Sequence, residues 1–165
     1  MNNREKLRDD VGIMLVNADK KIFMGYRRSS KKLIHPFQMP QGGISKNEAP
    51  EDAMKREIHE EIGLKPESYK IIAQSKNWYT YALPRHSFFR RKGYTGIRQK
   101  WFLLLFTGTD EDFSFQNGVY QEFIDFRWVG IEEIVARVAL FKRNVYEQVV
   151  AEFGPIVADL DFQEK

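Results

Sequence analysis

The clearest periodic pattern in the 165-residue chain is an apolar stripe near its middle. Met54, Ile58 and Ile62 recur every four residues, as they would on one face of an α-helix. Pro50 suits the first helical position, where its missing N–H costs nothing, and the glycine after Ile62 suits a helix end. We therefore predict a helix from about Pro50 to Ile62, with this stripe packed into the core.

Shorter apolar runs predict strands before and after this helix. The predicted strands cover residues 11–16, 21–26, 69–75, 78–83, 101–107 and 126–129. The first two are close enough to form a hairpin, and the run at 101–107 is apolar throughout, as expected of a central strand. Helical spacing of apolar residues returns over 131–138 and 141–153. The pattern predicts one domain that combines a sheet with helices.

The polar side of the predicted helix carries Glu57, Glu60 and Glu61. Residues three and four apart share a helix face, so the three carboxylates lie together. Their repulsion destabilises an isolated helix by a few tenths of a kcal/mol per pair, roughly. A solvated acidic face is the ordinary interpretation of such a triplet. A bound divalent cation is the alternative, because it would offset the repulsion.

The segment Pro40-Gln41-Gly42-Gly43 precedes the helix. Two adjacent glycines allow a sharp turn and leave backbone N–H groups uncovered, which suits the close approach of a phosphate. We predict a turn here, although four residues alone are a weak indication of a ligand.

Composition limits the class of protein. The chain has no cysteine, which excludes disulfides and thiolate metal sites, and its net charge is +3. No apolar run approaches the roughly 18 residues of a membrane span, and the polar N-terminus does not resemble a signal peptide. We expect a cytoplasmic enzyme with no membrane partner.

The most basic segment covers residues 84–100, where arginines and lysines alternate with Phe88, Phe89 and Tyr94. We predict an exposed loop. Such a loop is either simply solvated or contacts the backbone and bases of single-stranded nucleic acid.

The spacing of residues around the acidic helix resembles the Nudix box at every fixed position. The pattern is Gly42, five residues, Glu48, seven residues and then Arg56-Glu57-Ile58-His59-Glu60-Glu61-Ile62-Gly63-Leu64. Stretches outside the box narrow the resemblance to bacterial RNA pyrophosphohydrolases and the related dinucleoside polyphosphate hydrolases. These stretches include Arg8 ahead of Val11-Gly12, Asn77-Trp78 with Tyr81, Arg98 to Leu103, Glu122-Phe123 and Phe141-Lys142-Arg143.

The resemblance implies an α/β/α sandwich with a mixed β-sheet between helices, over the single domain 1–165. It implies a divalent metal, and oxygen ligands favour Mg²⁺ or Mn²⁺ over zinc. The implied metal-binding and catalytic residues are Glu57, Glu60, Glu61 and Glu122. The general base is left open between Glu57 and Glu122.

The resemblance also assigns residues to the substrate and to the box itself. The implied substrate-binding residues are Arg8, Arg27, Gly42, Gly43, Tyr81, Phe141 and Lys142. Glu48 and Arg56 are expected to form a structural ion pair. The implied reaction is removal of pyrophosphate from 5′-triphosphorylated RNA, which would promote mRNA decay. The alternatives are hydrolysis of diadenosine tetra- or pentaphosphate and an inactive domain that only binds nucleotides or RNA. A protein activator is not indicated by the sequence.

Overall fold

Eight strands form one mixed sheet in the computed structural model, which describes residues 5–28, 35–118 and 120–162. The strands are β1 (Leu7–Val16), β2 (Lys21–Arg27), β3 (Phe37–Gln38), β4 (Gln41–Gly43), β5 (Tyr69–Gln74), β6 (Tyr79–Ala82), β7 (Gly96–Phe106) and β8 (Phe123–Gly130). The helices are α1 (Pro50–Ile62), α2 (Phe88–Arg91), α3 (Ile134–Arg137) and α4 (Arg143–Asp159). None of the helices in these ranges has the length and apolar character to cross a membrane.

The sheet has the strand order β3-β2-β1-β7-β5, with β4 on β1, β6 on β7 and β8 on β2. β1 and β7 run parallel over ten residues, whereas the other pairs are antiparallel. The predicted hairpin of the first two strands is confirmed, and so is the central position of the apolar run in β7.

Alternate residues of the central strands pack on opposite faces of the sheet, as the pleat requires. Val11, Ile13 and Leu15 of β1 pack with the apolar stripe of α1. Met14 and Val16 pack instead with the buried face of α4. The two helices therefore cover opposite faces, and the predicted α/β/α sandwich is confirmed.

Helix α1 has the predicted bounds because its limits are set locally. Pro50 occupies the first turn. Gly63 adopts φ 77°, and its N–H donates to the His59 carbonyl at 2.9 Å. Met54, Ile58 and Ile62 are fully buried. The acidic face of this helix is consequently fixed in direction by the burial of the apolar one.

Several predictions differ from the structure, and β1 and β8 begin earlier than predicted, at Leu7 and Phe123. Of the turn predicted over Pro40–Gly43, residues Gln41–Gly43 form strand β4, because they pair with β1. The predicted loop over 84–100 contains α2, and β7 already begins at Gly96, since its first residues pair with β1 and β6. The segment 131–138 is a 3₁₀ turn followed by one helical turn. The last helix begins at Arg143 and continues to Asp159.

Candidate active site

A cavity of about 660 Å³ lies between β1, β4, α1 and the segments around residues 81–89 and 141–142. All the residues predicted to contact the substrate line it: Arg8, Arg27, Gly42, Gly43, Tyr81, Phe141 and Lys142. Glu57, Glu61 and Glu122 line the same cavity. A smaller adjoining cavity of about 290 Å³ is lined by Glu57, Glu60, Glu61 and Glu122. The fold thus brings the four predicted carboxylates together, although Glu122 is far from α1 in the sequence.

The two glycines of β4 make room for charged side chains. A Cβ atom at Gly42 would overlap the Glu57 carboxylate, and one at Gly43 would overlap the Arg8 guanidinium. The sequence suggested glycine for a turn, but the structure gives a different reason. Glycine at both positions leaves the ends of the Glu57 and Arg8 side chains in place beside the backbone of β4, whereas a larger residue would displace them.

Arg56 fixes the loop after β4 to α1. It donates to both carboxylate oxygens of Glu48 at 2.9 and 2.8 Å, which is the predicted ion pair. It also donates to the carbonyl of Gly43 at 2.8 Å and to Glu57 at 2.7 Å. The hydrogen bonds from Arg56 and from the backbone of Ser45 lower the pKa of Glu48 to about 2. Neither Glu48 nor Arg56 lines the two cavities, which fits a structural role for both.

Glu61 has the least compensated charge of the triplet. Its Oε2 accepts a hydrogen bond from the N–H of Gln41 at 3.3 Å. Burial, followed by the charges of Glu57 and Glu122, raises the pKa of Glu61 well above its ordinary value. Burial also raises the pKa of Glu57, against the opposing effect of Arg56. Carboxyl groups are therefore crowded where the two cavities meet, and burial and mutual repulsion disfavour their ionised forms unless a cation lies beside them.

Two arginines face the cavity with guanidinium groups that are only partly used. Arg27 Nε lies 3.5 Å from Glu122 Oε1 but has no hydrogen-bond partner among the described residues. Arg8 Nη1 lies 3.0 Å from Asp10 Oδ1. The guanidinium carbon of Arg8 is 4.3 Å from the centroid of the Phe89 ring, as in a cation–π contact. Donors on both arginines remain available to an anionic ligand.

Lys142 is only 5% exposed, yet it lines the cavity. Its Nζ donates to Gln38 Oε1 at 2.7 Å, and Gln38 Nε2 lies 3.4 Å from Glu122 Oε1. Burial and the charge of Arg27 lower the pKa of Lys142 from 10.5 to about 7. The side-chain amide of Gln38 is neutral, so it does not balance the charge of the protonated amine. An anion that enters the cavity would supply the opposite charge and so stabilise the protonated form of Lys142.

Aromatic side chains reach the cavity from three separate parts of the chain and form two pairs. The rings of Tyr81 and Phe141 are 5.7 Å apart between centroids. Phe88 and Phe89 of α2 have a centroid distance of 5.7 Å and a T-shaped arrangement. The cavity thus combines charged groups suited to phosphates with apolar surfaces suited to bases.

Asp10 and Gln38 are site residues that the sequence did not identify. Asp10 is buried beside Arg8, and burial raises its pKa to about 7. Alternation along a strand would have placed Asp10 on the same side as Arg8, but the charged residues 8–10 concealed the start of β1. Gln38 lies in a two-residue strand, which is too short to produce a recognisable sequence pattern.

The side chains that line these cavities have the chemical character expected of ligands for a divalent cation. Four carboxylates supply hard oxygen ligands around one cavity, and Glu61 lacks a cationic partner in the described ranges. No three acidic or histidine side chains of the described residues already converge as a formed metal site. Glu57 and Glu60 instead contact Arg56 at 2.7 and 3.4 Å.

Comparison with known proteins gives a consistent result along the whole chain. The NUDIX domain model matches residues 6–149. The RNA pyrophosphohydrolase of Pseudoalteromonas translucida is 39% identical over 100% of this chain and 95% of its own length. The RNA pyrophosphohydrolase of Cereibacter sphaeroides is 45% identical over 90% of this chain and 91% of its own length.

Solved structures agree at the level of the fold. The dihydroneopterin triphosphate pyrophosphohydrolase of E. coli has a TM-score of 0.65 at 20% identity, covering 90% of this chain and 99% of the other. The NUDIX hydrolase of Nitrosomonas europaea has a TM-score of 0.62 at 16% identity, covering 96% and 98%.

Proposed function

The chain belongs to the NUDIX family, and from that premise we propose that it removes pyrophosphate from the 5′-triphosphorylated end of RNA. The enzyme is a hydrolase that acts on pyrophosphate bonds. The proposed product is RNA with a 5′-monophosphate. Its formation in the cytoplasm would promote mRNA decay.

The observation that supports this proposal most directly is that basic and acidic side chains line the same cavity. Arg8, Arg27 and Lys142 face the space that Glu57, Glu61 and Glu122 also face. A triphosphate needs cations along its length and a group that activates water at one phosphorus. The relatives that match nearly the whole chain are RNA pyrophosphohydrolases, and for this reason we favour RNA as the molecule that bears the triphosphate.

We assign the positioning of phosphates to the basic residues. Arg27 Nε is an unpaired donor among the described residues, and charge-assisted hydrogen bonds to phosphate oxygens would satisfy it. Lys142 Nζ is oriented by Gln38, and Arg8 is supported by the ring of Phe89. The three side chains would hold the polyphosphate while its bond to the leaving group breaks.

We assign the metal to the carboxylates Glu57, Glu60 and Glu61, with Glu122 as a further ligand. A divalent cation such as Mg²⁺ or Mn²⁺, when bound, neutralises phosphate charge and lowers the pKa of the attacking water. Either Glu57 or Glu122 accepts the proton of that water, because both face the cavity. Glu57 and Glu60 must leave Arg56 in part to serve as ligands, which Arg56 permits since Glu48 holds it independently.

A second candidate is hydrolysis of diadenosine tetra- or pentaphosphate. The two aromatic pairs, Tyr81 with Phe141 and Phe88 with Phe89, could each receive one adenine. The same carboxylates would act on the polyphosphate between the two bases.

The deciding measurement is kcat/KM on a short 5′-triphosphate RNA compared with that on both dinucleotides, at saturating Mg²⁺ and separately at saturating Mn²⁺. We expect the RNA to be preferred. A preference for the dinucleotides of tenfold or more, about 1.4 kcal/mol in the barrier, would reverse the order of the two candidates. No turnover of any of these phosphoanhydrides would contradict both and leave a binding role.

A further inference from the structure

The segment 84–95 holds two adjacent phenylalanines in different environments. α2 begins after Ser87, whose Oγ accepts a hydrogen bond from the N–H of Phe89 at 3.3 Å. Arg90 donates through Nε and Nη2 to the Leu83 carbonyl at 3.1 and 2.9 Å. The guanidinium of Arg90 therefore stabilises the segment itself, whereas the sequence left the basic residues of this segment either solvated or in contact with nucleic acid.

Phe89 faces inward and Phe88 faces outward. Phe89 is partly buried against the core and lies under the Arg8 guanidinium. Phe88 is 62% exposed and still lines the large cavity. Lys92 Nζ lies 4.8 Å from the centroid of the Phe88 ring. An apolar ring is thus held at the edge of the active site with a cation against it.

The charges around Phe88 favour a polyanion. Residues 84–100 include no aspartate or glutamate. Arg85, Arg91 and Lys92 in this segment are exposed. Bases stack on exposed aromatic rings while neighbouring cations hold the phosphates, and this combination is typical of sites for single-stranded nucleic acid. An exposed phenylalanine in an acid-free segment is accordingly suited to a nucleotide.

We propose that Phe88 stacks on the base of an RNA nucleotide downstream of the first one, with Lys92 beside an adjacent phosphate. This inference rests on the proposed function. The proposed function assigns the triphosphate to Arg8, Arg27 and Lys142 inside the cavity. The RNA that leaves the site then needs a second surface, and Phe88 provides one at the cavity edge.

The test measures kcat/KM for the wild type and Phe88→Ala on a four-nucleotide 5′-triphosphate RNA. Three further RNAs each lack the base at nucleotide 2, 3 or 4. Phe88→Ala should lower kcat/KM on the intact RNA by about 5- to 150-fold, the range for loss of one base–aromatic stack. One abasic RNA should cause a similar loss in the wild type and almost no further loss in Phe88→Ala.

Two variants control for indirect effects. Phe88→Trp should retain wild-type kcat/KM, because tryptophan also stacks on a base. Ile71→Ala removes an apolar side chain that is 39% exposed on β5, outside the cavity, and should change nothing.

The outcomes separate this inference from the proposed function. If the wild type hydrolyses the RNA and Phe88→Ala is within twofold of it, the stacking inference is wrong and the proposed function stands. Equal losses for Phe88→Ala on the intact RNA and on every abasic RNA would also overturn the stacking. If the wild type does not hydrolyse the RNA, the proposed function itself fails.

Discussion

Arg56 and Lys142 are both cations near the active-site carboxylates, but their charges are balanced in opposite ways. Arg56 is held by both oxygens of Glu48, by Glu57 and by the carbonyl of Gly43. Lys142 is buried and donates to the neutral amide of Gln38. The carboxylates raise the pKa of Arg56, whereas burial lowers that of Lys142 to about 7.

This comparison indicates two different roles for a positive charge. The charge of Arg56 stabilises the fold, whereas the charge of Lys142 is available to a ligand. A paired cation such as Arg56 contributes to stability through its partners. A buried amine without a neutralising contact reduces stability until an anion enters the cavity. Arg56 should therefore matter for folding, and Lys142 for binding phosphate.

Replacing Glu57 by glutamine should have the largest effect, because this residue contacts Arg56 and also faces the cavity. If it is a metal ligand or the general base, loss of its charge removes about 4 kcal/mol of transition-state stabilisation, or a fall of about 10³-fold in kcat. Single-turnover kinetics on 5′-triphosphate RNA would measure it.

The matched control is Glu51→Gln, on the exposed first turn of α1. It should keep kcat within twofold of the wild type. Equal activity of the Glu57 and Glu51 variants on every phosphoanhydride tested would remove Glu57 from the catalytic machinery.

Replacing Lys142 by methionine should have the next largest effect on activity. Loss of a charged hydrogen bond to phosphate costs about 1.5–3 kcal/mol, a reduction of about 10- to 150-fold in kcat/KM. Stability should not fall. The lost hydrogen bond to Gln38 is worth about 1 kcal/mol, whereas relief from burying the amine is worth several.

Steady-state kinetics and urea unfolding would test both parts, with exposed Lys65→Met as the control for removal of a lysine. A variant that is clearly less stable than the wild type would show that the buried charge of Lys142 contributes to the fold. The contrast with Arg56 would then be lost.

The sequence was most informative where structure is determined locally. The bounds of α1 follow from Pro50, the apolar stripe and Gly63, all within 14 residues. The site residues were named from a family resemblance, and their proximity could not be derived from the sequence alone. Lys142 and Gln38 form a hydrogen bond although they are 104 positions apart in the sequence. No local sequence pattern can predict such a contact.

The errors have a related cause. Residues 41–43 were predicted as a turn because glycine is typical of turns, but their conformation depends on pairing with β1. α2 has only four residues, so helical periodicity could not reveal it. Asp10 was missed because β1 extends into polar residues, where pairing with β7 replaces apolar packing as the source of order.

Arg56→Met should have the smallest effect, and we expect this effect on the stability of the fold. Hydrogen bonds between charged groups contribute about 1.5–3 kcal/mol to the free energy of unfolding when they are shielded from water. The Arg56 side chain is partly exposed, which reduces this contribution. We expect a loss of about 2 kcal/mol from the free energy of unfolding in urea. Lys55→Met is the control, since the exposed pair of Lys55 with Glu51 should be worth under about 0.5 kcal/mol. Similar losses in the two variants would mean that the Arg56 network is no stronger than a surface ion pair, and the contrast with Lys142 would rest on activity alone.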